Sequence, residues 1–325
     1  MWIIAIIAML CWSGSDIFSK IGSKQEDKLS HYKVGIAVGL VMGIHAIYAF
    51  TIGGVPLTFD DIIAYLPASV LYIGSMVIGY IGLRYIELSI SSPICNGSGA
   101  VAVLMSILYF GVTFDPESES NAIFLNGPII IGIILIVIGI IALGIIDNFE
   151  DPELRMKRQQ TANRKYSKSV LAILLPVLYC IIDSCGTFVD TLIADGYVEK
   201  LENTGLESEA AGLLAGDILN TAYEFTWFFM AIIFTIYVFA VKKEKINKKS
   251  DGTKLLGGIC ETVGQVFYMM VVVSEFTQGL VIISAYCAVS LIWSRIFLKE
   301  KLSAKHYIAI AAAFIGIVIL GIYDV

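Results

Sequence analysis

The chain has 325 residues, of which 57% are hydrophobic and only 15% charged, and its mean hydropathy is +0.81. That is more apolar surface than a soluble protein of this length can bury, so a soluble globular enzyme is excluded and the bilayer is the solvent. The formal charge of −6 matters less than where the charges stand.

Ten apolar stretches approach the ~20 residues a helix needs to cross hydrocarbon. They lie at 2–19, 34–53, 62–82, 91–112, 128–146, 169–193, 217–241, 255–273, 279–297 and 306–323. The opening MWIIAIIAMLCW has no basic stretch before its apolar run and is read as a span, not a cleaved leader. Arg84, Glu87 and Pro93 separate the third span from the fourth. Within the fourth, Asn96, Gly97 and Gly99 after Pro93 predict a loosened helix with polar groups facing a cavity. The longest connections, 147–168 and 194–216, are polar and charged, and no soluble domain remains. The six cysteines (Cys11, Cys95, Cys180, Cys185, Cys260, Cys287) sit in apolar segments without CxxC spacing and are read as packing residues. Histidine occurs only at 31, 45 and 306, too sparsely for a zinc site, so neither metal nor cofactor is expected.

Two segments repeat. Residues 138–147 read IGIIALGIID and 315–324 read IGIVILGIYD, with seven of ten positions identical at an offset of 177. Weaker correspondences pair Tyr80 with Tyr268, Glu87 with Glu275 and Ser106 with Ser294 at an offset of 188. Trp12 and Asp16 pair with Tyr179 and Asp183 at 167. Basic residues fix the direction of the copies. Lys and Arg fall on the odd-numbered connections in 21 of 22 cases, Lys200 being the exception. The even connections are acidic, with Asp60, Asp61, Asp115, Glu117, Glu119, Glu199, Glu202, Glu207 and Glu209. The positive-inside rule then puts the odd connections in the cytoplasm and both termini outside the cell membrane. Five spans per copy is an odd number, so the second copy inserts upside down. The expected fold is an all-α membrane protein with ten transmembrane helices as two inverted five-helix repeats, 1–147 and 169–325, joined by a cytoplasmic linker at 148–168.

Residues 257–321, and above all SAYCAVSLIWSRIFLKEKLSAKHYIAIAAAFIGIVILGI, resemble the penultimate helix, glutamate-bearing loop and Gly-punctuated last helix of EamA-type members of the drug/metabolite transporter superfamily. Glu300 stands at that loop glutamate. CWSGSDIFSK in the first half resembles the family's opening helix, with Trp12 and Lys20 in place. The resemblance implies a carrier of small solutes and no enzymatic activity. Two departures stand out: TFDPES replaces a repeated loop glutamate in the first half, and the 194–216 connection is long.

A charge in the membrane core costs at least ~2.5–3.5 kcal/mol, so each one needs a reason. The candidates for substrate binding or coupling are Asp183, Glu224, Glu261 and Asp16. Gln265 and Tyr268 share a helical face with Glu261, and Asn220 and Trp227 with Glu224. Trp12, Tyr179, Trp227, Tyr268, Tyr286 and Trp293 offer π faces, and Asn96 a polar contact. The competing structural readings are an Asp16–Lys20 pair near the headgroups, interfacial solvation of Asp190, helix-to-helix hydrogen bonds for the other acids, and interfacial anchoring for the aromatic residues. Gly132, Gly139, Gly144, Gly316 and Gly321 are read as sites of close backbone approach. The scarcity of Arg and Lys inside the spans favours a cationic or zwitterionic amine as the small-molecule solute, with transport coupled to protons through a buried carboxylate. A carrier of neutral or anionic metabolites with structural acids, or a non-transporting sensor, are the alternatives. No GxxxxGK[ST] motif for an ATPase is present. Lipids are the expected surroundings, nucleic acid is not an expected partner, and a monomer is the default assembly.

Overall fold

The computed structural model describes residues 1–115, 122–166, 169–273 and 277–323. Glu117, Glu119, Lys168, Glu275 and Asp324 lie outside these. The protein is an all-α membrane protein, and every predicted span appears as helix. The first three are α1 (Trp2–Gly22), α2 (Ser30–Thr51) and α3 (Phe59–Gly82). The fourth span is broken into α4 (Leu88–Cys95) and α5 (Ser98–Phe110), and the fifth is α6 (Gly127–Phe149). A two-residue parallel pair, β1 (Val112–Thr113) and β2 (Ile123–Phe124), lies between them. A short helix, α7 (Pro152–Arg158), precedes α8 (Val170–Glu202), α9 (Ser208–Thr235) and α10 (Lys248–Val273). The ninth span is broken into α11 (Thr277–Ser284) and α12 (Tyr286–Trp293), and α13 (Ala304–Tyr323) is the tenth. Among the described residues nine helices have the length and hydropathy of a membrane span, α10 not being one of them.

Local chemistry sets several of these boundaries. Thr58 and Asp61 form a reciprocal capping box at the start of α3, with Thr58 N–H donating to Asp61 Oδ2 at 2.8 Å. Asn126 caps α6 by accepting from Ile129 N–H at 2.9 Å, and Asp151 caps α7 ahead of Pro152. The connection at 194–216 is shorter than expected. The polar run to Glu202 continues as helix into α8, and α9 already begins at Ser208. Only 203–207 turns, through Gly205 at φ +95°, because a helix satisfies its own backbone whether or not lipid surrounds it.

The helices are apolar on the outside as well as within. On α6, Ile131, Ile134, Ile138, Ile141 and Ile145 are exposed along one stripe, while Gly132, Ile136, Gly139 and Leu143 are buried on the opposite face. That buried face meets α13 at van der Waals limits. A Cβ added at Gly139 would stand 2.7 Å from Ala313 N, and one at Gly316 would stand 2.6 Å from Gly132 O. Gly132, Gly139 and Gly316 therefore serve close backbone approach, whereas a Cβ at Gly144 would make only an ordinary 3.5 Å contact with Ile173. The other main packing pairs are α1 with α10, α3 with α8, and α2 with α9.

The odd-numbered connections meet at one end of the bundle. Gln25 donates to Lys165 O, and Arg84 donates to Gln25 O and Lys28 O. Arg158 pairs with Glu87 at 2.6 Å, and Asn163 bonds Leu298 O and Phe297 O. Lys254 pairs with Asp27 at 2.9 Å and Lys33 with Glu244 at 3.6 Å. Burial raises the Asp27 carboxyl, but Lys254 and Lys33 outweigh that and hold it below its ordinary range.

Candidate functional site

Between the helix pairs lies a cavity of about 730 Å³, lined by residues of α1, α3, α4, α5, α6, α8, α9, α10, α11, α12 and α13. Its lining runs from Ser19 and Leu83 toward Ala194, Val198 and Gly212 near the acidic end. Four carboxylates face it: Asp16 on α1, Asp183 and Asp190 on α8, and Glu261 on α10. No Lys, Arg or His lines it among the described residues.

Hydroxyl groups hold three of the acids. Asp16 Oδ2 accepts from Ser92 at 2.7 Å and from Ser290 at 2.8 Å. It therefore ties α1 to both broken spans and is not paired with Lys20. Asp183 Oδ1 accepts from Ser75 at 3.0 Å. Asp190 accepts from Tyr65 at 2.6 Å and from Tyr72 at 3.3 Å, and it lines the cavity. Glu261 lies within electrostatic reach of Asp16 and Asp183 and within hydrogen-bonding reach of Ser15. Aromatic rings wall the space. Trp12 sits 5.0 Å from Tyr268 and 5.8 Å from Tyr286, measured between ring centroids. Tyr72, Tyr80, Tyr179 and Tyr223 also line it.

Of the residues singled out from sequence, the cavity gathers Asp16, Asp183, Glu261, Trp12, Tyr179, Gln265, Tyr268, Tyr286 and Asn96. Gln265 reaches Asn220 at 3.1 Å. Glu224 and Trp227 stand elsewhere. Glu224 is fully buried and bonds His45 Nδ1 at 2.7 Å, joining α9 to α2. Trp227 is fully buried and donates to Tyr223 O–H at 2.9 Å, so Tyr223 is the ring that reaches the cavity. Sequence reasoning passed over Tyr65 and Tyr72. Their spacing of seven residues on α3, one face of a helix, was the available signal.

Both broken spans bend at the cavity. The fourth breaks at Gly97 (φ −74°, ψ −3°) and the ninth at Ala285 (φ −71°, ψ −2°). These positions are 188 residues apart, the same offset that relates Tyr80 to Tyr268. Asn96 bridges the two breaks by donating to Ser284 O at 2.8 Å. The loosening expected around Asn96 and Gly97 is thus present, and a matching break occurs in the ninth span, where no Gly or Pro marks it.

The basic end is closed beneath the cavity. Lys20 is fully buried and donates to Leu83 O at 2.5 Å and to Ile86 O, with its ammonium 4.6 Å above the Tyr166 ring. Lys299 adopts a left-handed backbone (φ 57°), which turns Glu300 inward. Glu300 accepts from Ser89 N–H at 3.1 Å and Ser89 Oγ at 2.7 Å. Burial pushes its carboxyl above the ordinary range against the opposing pull of Lys20. Asp147, Glu150 and His306 come within 4.8 Å of one another, but Arg155 and Arg158 already neutralise the two acids at 2.6 Å and 2.8 Å. That cluster is an ion-pair lock and offers no free charge to a metal.

Residues 220–322 match the EamA-like transporter family. No curated protein matches the chain. Among solved structures, one crystal structure is similar over 99% of this chain and 96% of its own, with a TM-score of 0.53 and 14% identity, which shows a shared fold.

Proposed function

We propose that this chain, an EamA-type membrane protein by residues 220–322, is a secondary carrier that moves a small cationic or zwitterionic amine across the cell membrane in exchange for protons. The cavity carries this reading: four carboxylates and a wall of tyrosine and tryptophan rings, with no basic side chain among the described lining residues. Uncompensated carboxylates in a low-dielectric site are costly, and each is relieved by a proton or by a cation. Competition of the two for the same groups couples their movements. The aromatic rings supply faces for an organic cation.

Alternating access is supported by the way the packing exchanges between halves. If spans one to five correspond to six to ten, the α1–α10 pair corresponds to the α8–α3 pair. The α2–α9 and α6–α13 pairs each correspond to themselves. Asp16 and Asp183, Tyr80 and Tyr268, and the breaks at Gly97 and Ala285 all pair under the sequence offsets and all meet the cavity or its edge. An inverted repeat of this kind rocks about a fixed central site. The basic-residue distribution makes the locked end cytoplasmic, so the conformation described is closed inward. Opening it requires release of Lys20 and Glu300 from the joint between α3 and α4.

Flux of a radiolabelled amine in proteoliposomes tests the proposal. Uptake driven by a pH gradient is expected, with Asp183→Asn and Glu261→Gln each reducing it at least tenfold. Undiminished transport by both variants would sink the cation site. A second reading has one observation in its favour: the hydroxyl bonds to Asp16, Asp183 and Asp190 suit structural acids around a neutral solute. Amine-independent flux of a neutral metabolite would support that reading.

A further inference from the structure

The carboxylates of the cavity are not clustered at one point. Asp183 and Asp190 both lie on α8, both line the cavity, and both bond side chains of α3. Seven residues are close to two helical turns, so the two carboxylates share a face and stand ~10.5 Å apart along the axis. Asp183 belongs to a deep station with Asp16 and Glu261. Asp190 forms an upper station with the hydroxyls of Tyr65 and Tyr72. The lining between and beside them includes Tyr72, Met76, Thr187 and Tyr268, two phenol rings, a thioether and a threonine. The deep station also holds a polar group with nothing to bind. Tyr80 is 8% exposed, its hydroxyl has no hydrogen-bond partner among the described residues, and it lines the cavity within reach of Glu261 and Asp16.

We propose that the preferred cargo is an aliphatic diamine, with one ammonium group at the deep station and the other at Asp190. This rests on the cation reading above and specifies it. An ammonium approaches a carboxylate to ~2.8 Å. Collinear placement between the two acids then leaves ~5 Å between nitrogens, and placement beside them leaves up to ~10.5 Å. At ~1.3 Å per bond of an extended chain, that corresponds to roughly three to seven methylenes. The methylenes pass along Tyr72, Met76 and Tyr268. The Tyr80 oxygen accepts from the deep ammonium, which has three N–H donors to place. A monoamine satisfies one station and leaves the other carboxylate unneutralised, and this is the source of the discrimination.

Isothermal titration calorimetry on the purified full-length chain tests the assignment, with diamines from diaminopropane to diaminoheptane and the monoamines from propylamine to heptylamine. The expected result is an affinity maximum within the diamine series and a diamine-to-monoamine ratio of about tenfold or more at that length. In Asp190→Asn the ratio falls toward one. A ratio near one in the unmodified chain, or an unchanged ratio in Asp190→Asn, overturns the diamine assignment while amine binding itself leaves the cation reading standing. Binding of neither series overturns both. The length series in the unmodified chain decides the matter even where the variant does not fold.

Discussion

The α6–α13 seam gives the sharpest structural prediction, because two glycines on one helix meet opposite surroundings. In Gly139→Ala the new methyl carbon stands 2.7 Å from Ala313 N and 2.8 Å from Ala309 O. Both are backbone atoms of α13, so relief requires shifting the helix, and overpacking of this kind costs ~1–3 kcal/mol. In Gly144→Ala the nearest atom is Ile173 Cγ2 at 3.5 Å, an ordinary contact that costs nothing. Each substitution also gains the ~1 kcal/mol by which alanine exceeds glycine in a helix interior. That gain cancels in the comparison, so Gly139→Ala is expected to be less stable than Gly144→Ala by ~1–3 kcal/mol. Gly316→Ala, whose methyl would meet Gly132 O at 2.6 Å, falls with Gly139→Ala. Reversible unfolding in mixed micelles at increasing SDS fraction, followed by circular dichroism, measures the differences. Equal midpoints for Gly139→Ala and Gly144→Ala would refute the close backbone contact between α6 and α13.

Three further outcomes follow from the geometry. Arg158 joins Glu87 at 2.6 Å and Glu150 at 2.8 Å with its side chain 8% exposed. Arg158→Met therefore strands the buried Glu87, while Glu150 keeps Arg155 at 3.2 Å, and costs ~3–5 kcal/mol in the same unfolding assay; Arg158→Lys, lacking the planar fork, recovers less than half of that loss. Asp27 is held below its ordinary carboxyl range, with burial opposed by Lys254 and Lys33. Its stabilisation is present above the ordinary value of ~3.9 and lost as pH falls through the lower folded value. Asp27→Asn should thus be the less stable form at neutral pH, with the gap closing below about pH 3.9. Equal stabilities at neutral pH would count against this. Glu224→Gln removes the carboxylate that meets His45 Nδ1 at 2.7 Å but touches no cavity surface, so it should lower the unfolding midpoint while leaving amine affinity within twofold. A tenfold loss of affinity would return Glu224 to the binding site.

The spans were legible because their signal is local: a run of apolar residues near membrane thickness is helix whatever its neighbours are. The same holds for the break at Asn96 and Gly97 after Pro93, and for the close-packing role of Gly132, Gly139 and Gly316. Helical periodicity likewise grouped Gln265 and Tyr268 with Glu261. It also grouped Trp227 with Glu224 correctly, yet it did not indicate what that face meets. One helix face looks onto the cavity and another onto α2, and only the packing of α9 decides which is which. Asp190 shows the same limit: its position near the end of the apolar stretch 169–193 suggests the interface, while α8 runs on to Glu202 and Tyr65 and Tyr72 from α3 enclose it.

By itself, then, the sequence determined the all-helical membrane fold, the position of its apolar helices and the segregation of basic residues to particular connections, since each depends on residues near in the chain or on counts. The tertiary structure decided which acids share a chamber and which are locked away. Lys20 illustrates the difference. One turn beyond Asp16 in α1, it resembles an ion-pair partner, but it is turned instead toward the carbonyls of Leu83 and Ile86. Those acceptors lie more than sixty residues away along the chain. A buried charge takes the partner that packing brings to it, and that partner is not written beside it in the chain.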